Sequence, residues 1–194
     1  VLLASEITTI RLRLRERNGQ LAELLERIQD LAVKDELTGL YSRRHAMELL
    51  AKACGQARRG AFLLAVGFVD LDHFKRINDR HGHLFGDQVL VRFAELTRRY
   101  LGDKDMAARL GGEEFLVMLP VIDMEQALTG VERLMSALRA QRFMAAPALE
   151  VTASVGLTVV GHGESPDEVL VRADRLLYQA KAAGRDRIIT AGPP

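Results

Sequence analysis

The chain has 194 residues, 48% hydrophobic and 27% charged, an ordinary globular balance with length for one well-buried domain plus an extra element. A formal net charge of +1 leaves no field of one sign across the surface, which argues against bulk binding of a nucleic-acid polymer. The single cysteine, Cys54, excludes an internal disulfide and fits a reducing cytosol, and no apolar run approaches the roughly 20 residues of a membrane-spanning helix. Cys54 lies between apolar helix positions and reads as a small buried hydrophobe rather than a nucleophile. Val1 opens the chain with neither Met nor a leader pattern, so a longer cytoplasmic protein is expected, with a sensor or membrane segment upstream.

In the first segment Ile7, Leu14, Leu21 and Ile28 recur every seven residues, with Ile10, Arg17, Leu24 and Leu31 as the companion series. Alternating spacings of three and four form the seam of a two-stranded coiled coil, in which charged Arg17 sets register or leaves it switchable. The other reading is an amphipathic helix packed on its own domain; the stripe is too narrow to favour it. The basic stretch Arg11 to Arg17 reads as a solvated helix face rather than a membrane-proximal one. This places a boundary between an N-terminal helix, 1–33, and a globular domain, 34–194.

Gly39 stops the periodicity, and Ser42 can cap a helix that runs through Ala46, Leu50 and Ala57 and ends before Gly60. Residues 62–69 are a continuous apolar run, as expected of a strand buried on both faces. Asp87 begins the next predicted helix, with Val89, Leu90, Phe93, Leu96 and Tyr100 on one stripe. Residues 106–110 and 115–119 read as strands joined through Gly111-Gly112, which supply the positive φ angles of a tight hairpin. A helix follows from Met124 to Leu138, then a strand over 151–160. Ser165-Pro166-Asp167-Glu168 is a capping box with Pro at the first helical position, and Gly184 closes the helix it opens. Residues 187–190 can add an edge strand. The order implies an α+β domain, a mixed central sheet flanked by helices.

Two acidic clusters sit where this chain changes direction: Asp70 and Asp72 at a strand end, Glu113 and Glu114 after the hairpin glycines. Converging carboxylates repel and need a cation, and Mg²⁺ takes oxygen ligands from a few carboxylates plus substrate phosphates. Glycines also let backbone approach a triphosphate closely. Taken singly, each cluster reads better as surface strand-end acids, and it is the pairing of acids next to a Gly-Gly turn that points to metal. Positive charge is available from Lys75, and from Lys181 and Arg185 near the last helix end, where cations are also favoured by the helix dipole. No G-x-x-x-x-G-K-[ST] run exists, which argues against a P-loop NTPase. The residues by themselves reach a candidate Mg²⁺-nucleotide site.

The motif order goes further. Asp35-x-Leu37-Thr38-Gly39-Leu40-x-x-Arg43-Arg44 is followed by Asp70-Leu71-Asp72-His73-Phe74-Lys75-x-Ile77-Asn78-Asp79 and Gly82-His83-x-x-Gly86-Asp87. Next come Arg109 and Gly111-Gly112-Glu113-Glu114-Phe115, then Ala180-Lys181-x-x-Gly184-Arg185-x-Arg187. Across about four fifths of the chain these blocks resemble the GGDEF family of diguanylate cyclases. The resemblance implies a sheet like the palm of nucleotidyl cyclases and polymerases. It implies that Asp70, Glu113 and the Leu71 carbonyl ligate Mg²⁺ (Mn²⁺ as a substitute), with Glu114 in the same acidic site. By the same resemblance Asn78 and Asp87 read guanine, Lys181 and Arg185 hold the terminal phosphates, Gly111 and Gly112 admit the triphosphate, and His83 is structural rather than a metal ligand. Asp87 suits guanine because a carboxylate accepts from the N1 and N2 protons; a plain N-cap is its other reading.

The implied reaction joins two GTP molecules into cyclic di-GMP with release of pyrophosphate. One domain holds one GTP, so a homodimer through residues 1–33 is implied. One departure stands out: the family's inhibitory R-x-x-D here reads Gly102-Asp103-Lys104-Asp105, and Gly102 has no guanidinium fork. Weak or absent product inhibition is expected. Three rivals remain: a non-catalytic domain that binds GTP or a protein partner, a cyclase of altered base choice, and a coiled-coil module with a passive globular part. The intact Asp70, Asn78, Asp87, Glu113, Glu114 and Lys181 weigh against the first, and Asp87 weighs against the second.

Overall fold

The computed structural model describes residues 11, 13–20, 33–57, 63–102 and 104–192. Contacts divide the chain into two compact units, Val1–Val33 and Lys34–Pro194. In the first unit residues 13–20 are helical (α1), with Leu14 and Arg17 both exposed. Most of the expected heptad seam (Ile7, Ile10, Leu21, Leu24, Ile28 and Leu31) lies outside the described residues.

The second unit is a six-stranded mixed sheet with helices on both faces, as expected. In chain order it runs β1 (Tyr41–Ser42), α2 (Arg43–Ala57), β2 (Leu63–Leu71), α3 (Phe74–His81), α4 (His83–Tyr100), β3 (Met106–Gly111), β4 (Glu114–Val121), α5 (Met124–Arg139), β5 (Ala153–Val159), α6 (Pro166–Ala182) and β6 (Ile188–Ala191). The sheet order is β1-β3-β4-β2-β5-β6. The apolar run of β2 is central, antiparallel to β4 on one side and to β5 on the other. Strand alternation sorts the core into two layers. Leu64, Val66, Leu116 and Met118 face one way, with Leu50 of α2 and Val169 of α6. Ala65, Val69, Phe115 and Val117 face the other, with Phe93 of α4 and Leu134 of α5. Cys54 is buried in the first layer, consistent with a packing role.

Two local expectations change. The segment before Asp87 forms α3, whose two buried apolar residues, Phe74 and Ile77, are too few to show a helical stripe in sequence. The α4 helix begins at His83, not Asp87, because Phe85 extends the buried stripe one turn earlier and Gly82 serves as its N-cap. Asp87 is therefore no cap, and His83 is exposed at the helix start. The capping box at Ser165 forms as read: the Ser165 hydroxyl accepts from the Glu168 amide, and the Glu168 carboxylate accepts from the Ser165 amide.

One close approach sets the position of α6. A Cβ on Gly156 of β5 would overlap the Ala173 carbonyl and the Leu177 amide, so the helix lies backbone-to-backbone on the strand. That contact aims the C-terminal end of α6, with Lys181, at the end of β2.

Candidate active site

Antiparallel register places Asp70 directly opposite Glu114, and the Leu71 amide donates to the Glu113 carbonyl at 3.3 Å. The hairpin needs its glycines: Gly111 and Gly112 hold φ of 152° and 51°, with a bulge before Gly111. The two acidic clusters, well separated in sequence, thus meet at one strand end.

The Asp70 carboxyl is only 10% exposed, and Lys181 Nζ lies 2.8 Å from its Oδ2. Burial raises the Asp70 pKa, opposed by the Lys181 ammonium, reinforced by the nearby Asp72, and opposed again by Arg185. Glu113 is also raised, first by burial and then by the Asp70 charge, with Glu114 adding and Lys181 opposing. Two carboxylates that burial and neighbouring negative charge push toward protonation are the donor chemistry a divalent cation relieves. Among the described residues no three His, Cys, Asp or Glu side chains form a metal cage. A cation here would draw on Asp70, Glu113, the Leu71 carbonyl and phosphate oxygens, the ligand mix that suits Mg²⁺.

The residues expected to hold nucleotide fall in three places. Lys181 and Arg185 come to the acids, Lys181 by its ion pair and Arg185 through its charge on Asp70. Asn78 of α3 lies against Gly86 of α4, where a Cβ would overlap its Oδ1. Asn78 Oδ1 is the one buried side-chain polar atom without a hydrogen-bond partner among the described residues, and an unmet buried acceptor costs about 1–3 kcal/mol. Asp87 is half-buried, one residue beyond Gly86. Lys75 is exposed in the first turn of α3, and the cation that pairs with Asp70 is Lys181 instead.

Comparison with known proteins agrees with this fold. The family profile "Diguanylate cyclase, GGDEF domain" matches residues 32–187. This chain belongs to the GGDEF family. As a GGDEF domain it is 38% identical, over 91% of its length, to the diguanylate cyclase DgcP of Pseudomonas aeruginosa, of which it spans 29%. Its fold is similar to the coiled coil and GGDEF domain of DgcB from Caulobacter crescentus, solved in complex with c-di-GMP: TM-score 0.78, 31% identity, 94% of this chain and 99% of that one. It is equally similar to the diguanylate cyclase SiaD of P. aeruginosa, solved in complex with its activator SiaC: TM-score 0.78, 33% identity, 98% of this chain and 76% of that one.

Two supports of this GGDEF site escaped sequence reasoning. Arg109 donates from Nε to the Gly112 carbonyl at 3.0 Å and from Nη1 to Asp35 at 3.3 Å, which pins the hairpin to the loop before β1. Burial alone would raise Asp35, but the Thr38 hydroxyl and amide and the Arg109 charge outweigh it and hold its carboxyl below the usual range. Both residues stood inside recognised motifs, yet their separation of 74 positions hid the pairing. Asp72 is the second support and corrects its placement in a metal-facing cluster. Its Oδ1 accepts from the Ser154 hydroxyl at 2.7 Å, and its Oδ2 from the Thr152 hydroxyl at 2.7 Å and the Asp186 amide at 3.0 Å. Three donors occupy this carboxylate, so it serves the scaffold.

Proposed function

We propose that the chain condenses two molecules of GTP into cyclic di-GMP as a Mg²⁺-dependent homodimer. The observation that carries this reading is the meeting of Asp70, Glu113 and Glu114 with Lys181 and Arg185 at one sheet end. Asp70, Glu113 and the Leu71 carbonyl would hold the cation. Bound Mg²⁺ supplies neutralising charge for the attacking 3′-hydroxyl and for the departing pyrophosphate. Lys181 and Arg185 bind the terminal phosphates, and Gly111 and Gly112 leave the backbone open to the triphosphate. Asn78 and Asp87 select guanine; the unmet Asn78 Oδ1 supports this, since guanine N1–H and N2–H₂ are donors. Catalysis on this reading is chiefly positioning, with the 3′-hydroxyl of each nucleotide aimed at the α-phosphorus of the other.

Each domain contributes half a site, so residues 1–33 would bring two copies together. The exposure of Leu14, 56%, and its place in the heptad series fit a side chain that a second helix covers. An upstream sensor and a cytoplasmic location belong to the same proposal; no described helix is long and apolar enough to cross a membrane. Feedback through the Gly102–Asp105 stretch is weak on this reading. As a donor Gly102 has only its backbone amide, which is engaged with Asp105 Oδ2 at 2.6 Å. A sub-micromolar product-inhibition constant, lost in Asp105→Ala, would refute that.

The decisive assay incubates the chain with GTP and Mg²⁺ and separates the products chromatographically. Cyclic di-GMP and pyrophosphate are expected from the parent and neither from Glu114→Gln. GTP binding without product would favour a regulatory domain instead.

A further inference from the structure

Three consecutive residues after α6 hold positive φ: Gly184 at 110°, Arg185 at 65° and Asp186 at 46°. Only the first is a glycine, so Arg185 and Asp186 occupy a left-handed conformation that side chains disfavour and that surrounding structure must hold. Two side chains grip the turn from outside it. Arg139 of α5 pairs with Asp186 at 2.8 Å, but both side chains are about a third exposed or more, and such pairs hold weakly. Asp72 accepts the Asp186 amide inside the protein, where it is 4% exposed, and a buried charge-assisted bond is the stronger of the two. The same carboxylate is bonded to Thr152 and to Ser154 of β5, so it cannot swing with the turn.

We propose that Asp72 is a positioning residue that fixes the Gly184–Arg187 turn and so the direction from which Arg185 meets the terminal phosphates of the nucleotide. The two acids of the Asp70-Leu71-Asp72 run then divide their work: Asp70 faces the reaction, and Asp72 sets a phosphate-binding side chain from behind. This rests on the nucleotide reading of the site. It also separates Asp72 from a plain stabiliser, because the group it controls touches only the outer phosphates.

The test is calorimetric titration of the full chain, with Mg²⁺, against a non-hydrolysable GTP analogue and against GMP, which lacks the outer phosphates. Asp72→Asn keeps the shape but leaves one acceptor for three donors. It should weaken the analogue about tenfold and GMP less than about twofold. Added to Arg185→Ala it should cost nothing further, since both changes remove one contact. Equal weakening of both ligands, or full additivity with Arg185→Ala, overturns the tether. Should Asp72→Asn fail to fold, Thr152→Val removes one donor at nearly constant shape and should give the same pattern at about threefold. An Arg185→Ala variant that binds the analogue like the parent would remove the phosphate assignment, and the tether with it. A parent that binds neither ligand would refute the nucleotide reading itself.

Discussion

Glu113 carries the clearest consequence for a single side chain. Burial and the charges of Asp70 and Glu114 raise its pKa above the ordinary value of 4.5. An acid raised in the folded state adds stability below its unfolded pKa, and that contribution disappears as pH rises through the folded value. At neutral pH the ionised Glu113 therefore weakens the metal-free fold. Glu113→Gln should raise metal-free stability at neutral pH by on the order of 0.5 kcal/mol, a small figure because solvent screens a half-exposed group. The gap should close toward about pH 4, and Mg²⁺ should raise the Tm of the parent but not of the variant. Melts showing a pH-independent gap would contradict this. Asn78 offers a second case. Gly86→Ala would improve helix propensity in α4 by roughly 0.8–1 kcal/mol, which offsets some of the crowding. The new methyl overlaps Asn78 Oδ1, so GTP affinity should fall about tenfold, near 1.4 kcal/mol, while the fold survives. Unchanged GTP affinity in a titration would show that Asn78 need not hold its place.

Among the helix–strand pairs, α6 and β5 are joined backbone to backbone at Gly156. At Gly156 the obstructing atoms are helix backbone, which cannot rotate aside. At Gly67 of β2 an added methyl would stand 2.7 Å from Val117 Cγ2, an atom on a side chain that can yield. Urea denaturation should therefore find Gly156→Ala more destabilising than Gly67→Ala, with overpacking of about 1–3 kcal/mol at Gly156. Movement of α6 also carries Lys181 away from Asp70, so Gly156→Ala should lose GTP binding in proportion. Equal denaturation midpoints for the two variants would contradict the backbone contact. The hairpin between β3 and β4 depends in turn on Asp35, whose depressed pKa contributes stability above the ordinary carboxylate value of 3.8 that is lost in stronger acid.

For the whole molecule, the unit Lys34–Pro194 contains both core layers and every site residue named above. Removing residues 1–30 should leave its melting transition intact. On the dimer reading, a helical tether supplies the second half-site at an effective concentration in roughly the millimolar range. Specific activity of the truncated chain should then fall steeply on dilution while that of the parent stays flat. A truncated chain as active as the parent when dilute would show that residues 1–30 do not bring the half-sites together.

Local chemistry in the sequence determined a good deal. The apolar run before Asp70, the Gly111-Gly112 hairpin and the Ser165 capping box are written in neighbouring residues, because burial, φ preference and capping act over a few positions. The site acids and cations were legible for the same reason, as charged residues at the ends of elements. What the tertiary structure alone decided is which of them meet, and to what end. Asp70 and Asp72 look alike two positions apart, yet one receives Lys181 and the other three hydrogen bonds from Thr152, Ser154 and Asp186. The Asp35–Arg109 pair and the bare face of Gly156 were likewise invisible, since long-range packing joins residues whose separation carries no local signal.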